Sequence, residues 1–148
     1  MAKGERVYVA LGSNVGDRAA HLAYARDRLA TLPGTRVVAA SRVEETAPIG
    51  PVSQGAFLNQ MLLLETTLEP AELLVHLHAI ESERGRERQA GVRWGPRTLD
   101  LDIVRFGERV LHEPQLVIPH PELPNRPFWQ RELAELEVAA SPRPTPDG

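Results

Sequence analysis

Cysteine is absent from this 148-residue chain, which excludes disulfides, thiolate metal sites and a cysteine nucleophile. Lysine is almost absent as well, because Lys3 is the only lysine among the 17 Lys and Arg side chains. Lys3 lies near the start of the chain and outside any glycine-rich frame, so the sequence has no Walker-type phosphate loop. If the protein binds phosphate, arginine must supply the contacts, and its planar guanidinium suits bidentate binding of phosphate oxygens.

Long hydrophobic segments are also missing. The longest uninterrupted apolar aliphatic run, Met61 to Leu64, is far shorter than the roughly 20 residues that span a bilayer. The first ten residues contain no apolar segment typical of a secretory signal, so we expect a cytoplasmic protein without a membrane partner. The net charge of −3 argues against general nucleic-acid binding. The length predicts a single domain, placed at residues 1–140, with residues 141–148 as a disordered tail.

The periodicity of apolar residues predicts a β-α-β-β-α-β order with C-terminal additions. Strands are expected over residues 6–11, 37–45, 57–66 and 99–106, and helices over 18–32 and from Pro70, with Leu73, Leu74, Leu77 and Ile80 as the core face of the second helix. We further expect a hairpin through Gly107 to residues 109–111 and a short helix over 128–136. This order predicts a ferredoxin-like α+β plait, which has a mostly antiparallel sheet with flanking helices on one face, here with mobile active-site loops.

The most informative segment runs from Trp94 to Ile103 and reads WGPRTLDLDI. Asp100 and Asp102 alternate with apolar residues, which is the period-two pattern of a half-buried strand. Both carboxylates would then share one face, about 6.5–7 Å apart along the strand. Two Mg²⁺ ions about 3.5–4 Å apart, bridged to phosphate oxygens, would fit that spacing. The alternative is the solvated face of an edge strand, which is the commoner setting for such a pair.

The segment before this strand is strongly basic. Five arginines occupy fourteen residues against one acid, Glu87; they are Arg84, Arg86, Arg88, Arg93 and Arg97. A basic loop followed by an acidic strand suits Mg²⁺–triphosphate, since carboxylates can hold the metal and arginines the oxygens. The alternative is a solvated surface segment. The two interpretations are compatible, because a lid that closes over an active site would also be a mobile, arginine-rich loop.

A third pattern pairs an aromatic ring with a carboxamide. Phe57 and Asn59 would share one face of their strand, where they could stack on a flat heterocycle and hydrogen-bond its amide-like edge. The alternative is a core phenylalanine beside a strand-end asparagine. Neither Ser13 nor Ser53 has a nearby His–Asp arrangement, so nucleophilic catalysis is not expected.

Taken in order, seven motifs carry a family resemblance: LGSN (11–14), ETAPIG (45–50), FLNQ (57–60), ERGRER (83–88), RWGPRTLDLDI (93–103), IPHP (118–121) and NRPF (125–128). Over about residues 6–138 the chain resembles the 6-hydroxymethyl-7,8-dihydropterin pyrophosphokinases of folate biosynthesis. The resemblance implies the same plait fold. It also implies transfer of the β,γ-pyrophosphoryl group of ATP to the pterin hydroxymethyl oxygen, with release of AMP.

The resemblance also implies roles for individual residues. Asp100 and Asp102 would bind two Mg²⁺ ions that bridge the triphosphate, and they would form the catalytic set with Arg86 and Arg97. The pterin would contact Thr46, Ala47, Pro48, Ile49, Gly50, Phe57, Asn59 and Phe128, with the two phenylalanines sandwiching its ring. ATP would contact His78, Glu81, Arg88, Trp94, Arg97, Ile103, His120 and Arg126. A monomer is expected, and contact with other folate-pathway enzymes is left open.

The chain departs from the family pattern at several positions. Ala47 stands where proline is common, and Gln89 replaces a basic residue in the arginine-rich loop. An extra residue between Arg88 and Trp94 leaves the alignment of residues 89–93 open. Two other functions are alternatives. A nucleotide- or RNA-binding plait module would call for a basic net charge and aromatic strands. A two-metal phosphoesterase would need more carboxylate or His ligands than this strand provides.

Overall fold

The computed structural model of the protein describes residues 4–47, 55–85 and 98–140, and these residues form seven strands and three α-helices. The strands are β1 (Glu5–Ser13), β2 (Thr35–Ala40), β3 (Glu44–Thr46), β4 (Phe57–Thr66), β5 (Asp100–Phe106), β6 (Leu111–Glu113) and β7 (Leu116–Ile118). The helices are α1 (Arg18–Ala30), α2 (Pro70–Glu83) and α3 (Pro127–Ala140), with a 3₁₀ turn at Leu123–Asn125 before α3. The predicted bounds of β4 agree with the structure.

The main sheet has the strand order β2-β4-β1-β5, and every neighbouring pair is antiparallel. The short strand β3 pairs with the first residues of β4, next to the stretch of β4 that pairs with β2. With α1 and α2 as the two crossover helices, this is a ferredoxin-like plait, as predicted. Within the described residues, no helix combines the length and apolar character that a membrane crossing needs.

Helices cover both faces of the sheet, so the expectation of helices on one face alone is wrong: α3 has an apolar side of its own and covers the second face. The first face packs against α1 and α2 through a core that includes Val7, Val9, Leu11, Leu22, Leu29, Leu73, Leu77 and Ile80. The second face packs against α3 through Ala10, Met61 and Leu63 of the sheet and Trp129, Leu133 and Leu136 of the helix. Burying each such helix side chain contributes about 1.5–3 kcal/mol, which fixes α3 firmly over the second face. That face carries the candidate site.

Two local predictions are wrong. The strand expected over residues 37–45 is broken at Ser41, whose hydroxyl accepts a hydrogen bond from the Met61 backbone amide and so takes the place of a ladder bond. The hairpin expected through Gly107 does not pair with β5. Gly107 makes a turn at φ +55°, and β6 then pairs with β7, the nearer segment in the chain, as a separate two-stranded sheet.

Candidate active site

Asp100 and Asp102 lie on β5, and Leu101 between them is buried on the opposite face. Asp102 is paired across the ladder with Ala10 of β1, and Ala10 packs in the core beneath α3. Paired residues of an antiparallel ladder point to the same side of the sheet, so both carboxylates lie on the α3 face. Each aspartate is half-buried. Two partly desolvated anions on one face favour a bound cation between them.

A glycine separates the carboxylates from an aromatic and amide pocket. Gly12 of β1 is paired with Asp100 on one side and with Asn59 of β4 on the other. A Cβ at Gly12 would lie 3.3 Å from Asn59 Oδ1 and 3.5 Å from Phe57 Cδ1. Glycine therefore leaves an open floor between Asn59 and Asp100, whose Cα atoms are about 10 Å apart across two strand spacings.

The amide of Asn59 is held in one orientation. Its side chain is 6% exposed, and Nδ2 donates a hydrogen bond of 2.6 Å to Thr46 Oγ1. Thr46 is paired with Phe57, so the hydroxyl, the ring and the amide share the α3 face. One bond to Thr46 uses one of the two Nδ2 hydrogens, and Oδ1 lies over Gly12. The group can therefore offer a donor and an acceptor side by side to a flat ligand.

His120 lies beside the second aspartate. Its backbone amide donates to the Val104 carbonyl at 2.9 Å, and its Nε2 is 3.6 Å from Asp102 Oδ1. The Glu122 backbone amide donates to Nδ1 at 3.0 Å, so this hydrogen bond assigns the ring proton of neutral His120 to Nε2. The imidazole thus directs an N–H towards the carboxylate, at a distance longer than a hydrogen bond.

Residues of the NRPF motif lie close to His120 in the fold. The guanidinium of Arg126 lies over the Trp129 ring at 4.3 Å from its centroid, and the His120 ring meets Trp129 edge-on at 4.9 Å. Phe128 packs against the α3 core and contacts Trp129 edge-on at 6.2 Å. His120, Arg126 and Phe128 therefore all contact Trp129, which lies outside the seven motifs, and His120 in turn lies beside Asp102.

Glu81 has a structural function that sequence reasoning missed. It is 1% exposed on α2, and its Oε2 accepts a hydrogen bond of 2.7 Å from the Leu101 backbone amide. That amide belongs to the residue between the two aspartates, so the helix fixes the strand at the point where the carboxylates project. The available signal was position: Glu81 follows Leu77 by four residues on the buried face of α2.

We expect Glu81→Leu to lower the free energy of unfolding by about 1–3 kcal/mol, because it leaves the buried Leu101 amide without its acceptor. Glu81→Gln retains an acceptor oxygen and should keep most of the stability. Urea unfolding of the two variants measures the difference. Equal destabilisation by leucine and glutamine would show that the bond to Leu101 is not what Glu81 contributes.

The remaining predicted positions divide into two groups. Seven lie outside the described residues and stay predictions: Pro48, Ile49, Gly50, Arg86, Arg88, Trp94 and Arg97. Of those described, Ala47 is exposed just after β3, and His78 is half-buried on α2. Ile103 is 3% exposed in the core under α1 and α2, on the face opposite the aspartates. Any contact of Ile103 with a nucleotide would therefore go through its main chain.

The donor set suits magnesium better than a metal that needs a protein cage. Among the described residues, no group of three or more His, Cys, Asp or Glu side chains could enclose an ion. Mg²⁺ is commonly held by one or two carboxylates, with waters and substrate phosphates completing the shell. Asp100 and Asp102, beside the open floor at Gly12, match that requirement.

Comparison with known proteins gives consistent matches. A family profile described as 7,8-dihydro-6-hydroxymethylpterin-pyrophosphokinase matches residues 8–138. A 2-amino-4-hydroxy-6-hydroxymethyldihydropteridine pyrophosphokinase of Pseudomonas aeruginosa is 47% identical over 132 residues, 89% of this chain and 80% of that protein. One from Bacillus subtilis is 43% identical over 129 residues, 87% and 76% of the two chains. The bifunctional protein FolKE of Lactococcus lactis subsp. cremoris is 39% identical over 132 residues, 89% of this chain but 37% of that protein.

Proposed function

The chain belongs to the 7,8-dihydro-6-hydroxymethylpterin-pyrophosphokinase family, and we infer its activity from that membership. It is an ATP-dependent diphosphokinase of folate biosynthesis. It transfers the pyrophosphoryl group of ATP to the hydroxymethyl group of 6-hydroxymethyl-7,8-dihydropterin and releases AMP.

The single observation that carries the assignment of the site is the row Asp100, Gly12, Asn59 across three strands. We propose that the pterin ring lies at the Asn59 end, stacked on Phe57 and Phe128, with its amide edge on the Asn59 side chain. Ala47 and residues 48–50 would complete this pocket. The hydroxymethyl substituent would then extend over Gly12 towards phosphates held near Asp100. With the flat pterin ring at the Asn59 end and the phosphates at the Asp100 end, the substituent that joins them would cross Gly12. This explains why that position has no side chain.

Two Mg²⁺ ions are proposed at Asp100 and Asp102; bound there with ATP, they would supply neutralisation of the charge on the transferred phosphates. The carboxylates would hold these ions and through them the nucleotide, and the His120 ring lies beside Asp102, with Nε2 3.6 Å from Oδ1. The hydroxymethyl oxygen must approach the β-phosphorus in line, so positioning by rigid strands supplies much of the catalysis. Glu81 contributes by holding Leu101 in place.

The arginines are proposed to act on the phosphates directly. Arg86 and Arg97 would stabilise the charge that develops on the transferred group, as guanidiniums do in related phosphoryl transfers. The other predicted contacts of the nucleotide are likewise proposed: His78, Glu81, Arg88, Trp94, Ile103, His120 and Arg126. The stacking of Arg126 on Trp129 supports this for one of them, because it pre-orders a cation beside the Asp102 end of the site.

We also propose a monomeric, cytoplasmic enzyme, located where its phosphoryl donor ATP is available. Contact with other enzymes of the pathway is a further proposal. It is supported by the Lactococcus relative, which carries a unit like this one within a longer protein named as bifunctional.

The assay that tests the function mixes the protein with Mg-ATP and 6-hydroxymethyl-7,8-dihydropterin and identifies the nucleotide product. AMP and a pterin diphosphate are the expected products in equal amounts. ADP, or no nucleotide product from folded protein, would contradict the assignment.

Gly12→Ala should raise KM for the pterin about tenfold and change KM for Mg-ATP much less. The added methyl group would lie 3.3 Å from Asn59 Oδ1 and push on the pterin pocket, and overpacking of this kind typically costs 1–3 kcal/mol, about tenfold per 1.4 kcal/mol. Gly55→Ala is the matched control, since a Cβ there meets only an ordinary contact of 3.6 Å with the Asn14 carbonyl. Steady-state kinetics with each substrate varied in turn measures both constants. Equal increases in the two KM values would argue against pterin at this position.

A further inference from the structure

The shortest strand of the main sheet forms part of the pterin pocket. β3 has only three residues and pairs with β4 alone. Its last residue, Thr46, accepts the 2.6 Å hydrogen bond from Asn59 Nδ2 that orients the amide. Pairing over three positions holds a strand weakly. The position of Thr46 therefore depends on side-chain contacts that reach β3 from outside the sheet.

Arg18 of α1 makes such contacts on the face opposite the pterin pocket. Glu45 of β3 is paired with Leu58, which packs against the core beneath α1 and α2, so the Glu45 side chain projects to that face. Arg18 Nη1 lies 2.8 Å from Glu45 Oε2 and donates a hydrogen bond of 3.0 Å to the Ala56 carbonyl. Ala56 directly precedes β4, so one guanidinium nitrogen joins β3 to the start of its partner strand.

The start of α1 is anchored independently of β3. Asp17 caps the helix by accepting a hydrogen bond of 3.0 Å from the Ala20 backbone amide. Before this cap, Asn14 Nδ2 donates to the Gly55 carbonyl at 3.3 Å. Two successive carbonyls before β4 thus accept hydrogen bonds from side chains at the junction of β1 and α1. Arg18 therefore extends towards β3 from a fixed base.

A second arginine reaches β3 from the other face of the sheet. Arg131 of α3 donates two hydrogen bonds of 3.3 Å to Glu44, one to each carboxylate oxygen. These contacts tie β3 to α3. Arg18 instead ties β3 to the start of β4, the strand that carries Asn59. The contacts of Arg18 therefore bear more directly on how Thr46 meets the amide.

We propose that Arg18 is a positioning residue for the pterin pocket. By binding Glu45 and the Ala56 carbonyl together, it fixes β3 against the start of β4. Thr46 is the next residue after Glu45, so this contact sets where the Thr46 hydroxyl meets the Asn59 amide. The consequence for catalysis rests on the function proposed above.

Arg18→Leu should raise KM for the pterin about three- to tenfold, since it removes a charge-assisted hydrogen bond and an ion pair that are both partly exposed. The value of kcat at saturating pterin and KM for Mg-ATP should stay near those of the wild type. Glu45→Gln removes only the ion pair and should raise KM for the pterin about twofold. Arg18→Lys keeps a cation and should restore part of the loss. Arg36→Leu is the matched control, because Arg36 pairs with Glu65 at 3.0 Å at the far end of β4.

A double variant separates positioning from a general loss of stability. In a Thr46→Val background the hydroxyl that Arg18 places is gone, so Arg18→Leu should add less than about twofold to KM for the pterin. A similar factor in both backgrounds would overturn the proposal, as would equal increases in KM for the pterin and for Mg-ATP. A raised KM in Arg131→Leu but not in Arg18→Leu would also overturn it, because the contact with α3 would then be the one that places β3.

Hydrogen exchange of residues 44–46, followed in the folded protein without substrates, gives a measurement that needs no catalysis. Arg18→Leu should speed this exchange severalfold, and Arg36→Leu should leave it unchanged. Exchange in Arg18→Leu equal to that of the wild type would contradict the proposal. If no variant forms AMP, the assigned function fails, and the exchange data still decide whether Arg18 holds β3.

Discussion

Asp100→Ala and Asp102→Ala should each lower kcat at least about thousandfold. Metal-assisted charge stabilisation is worth several kcal/mol in the transition state, and each 1.36 kcal/mol corresponds to tenfold in rate. The melting temperature should stay near that of the wild type or rise slightly, because each substitution removes one of two half-buried like charges from the same strand face. Turnover and thermal unfolding measured on the same samples separate the two effects.

Asp27→Ala is the matched control for these variants, since Asp27 is an exposed aspartate on α1, on the other side of the sheet. It should retain full activity. Titration of Mg²⁺ in the presence of a non-hydrolysable ATP analogue should show weaker binding to both β5 variants. If either of them keeps most of its activity at ordinary Mg²⁺ concentrations, the aspartates are not the metal ligands.

The plait could be predicted from sequence because its strands carry strong local signals. β4 has a polar, turn-forming segment on either side and an uninterrupted apolar centre, and its predicted ends agree with the structure. The break at Ser41 could not be read in the same way. It depends on the Met61 amide, a partner twenty residues away that only the fold brings into contact. Local patterns predict strands and helices, whereas contacts with residues distant in the chain often determine where those elements are interrupted.

In the candidate site, too, some features follow from local sequence and others only from the fold. Asp100 with Asp102, and Phe57 with Asn59, were identified as pairs because each pair lies on one strand. Their combination depends on β1 lying between β4 and β5, so that Gly12 faces both pairs. Strand order is a property of the whole chain: the predicted β-α-β-β-α-β order of elements and the family resemblance both implied the plait that sets it, whereas the spacing within either pair did not.

Buried acids were the least predictable feature. Glu81 and Glu132 count as polar in any periodicity analysis, yet both are 1% exposed. Glu132 sits beside Leu133 and three residues after Trp129, which places it at the edge of the apolar face of α3. An acid at such a position either accepts a hydrogen bond from the backbone, as Glu81 does, or has its pKa raised by burial, as Glu132 does.

Asn59→Ala should reduce kcat/KM for the pterin by about 10²–10³-fold. A buried polar group that loses its partner costs about 1–3 kcal/mol, and the amide edge of the pterin would lose two contacts at once. Asn59 is 6% exposed, so bulk water cannot readily replace its amide. The loss should fall on the pterin, with KM for Mg-ATP close to the wild-type value.

Thr46→Val provides the matched test of how Asn59 is oriented, since it removes the hydroxyl that accepts from Nδ2 at 2.6 Å. Alone it should weaken pterin use by less than Asn59→Ala, because the amide is still present but no longer fixed. Added to Asn59→Ala it should cost little more, since residues that act as one unit are not additive. Fully additive losses would mean that Thr46 and Asn59 contact the pterin independently. An unchanged kcat/KM in Asn59→Ala would place the pterin elsewhere, and the open floor at Gly12 would then need another ligand to explain it.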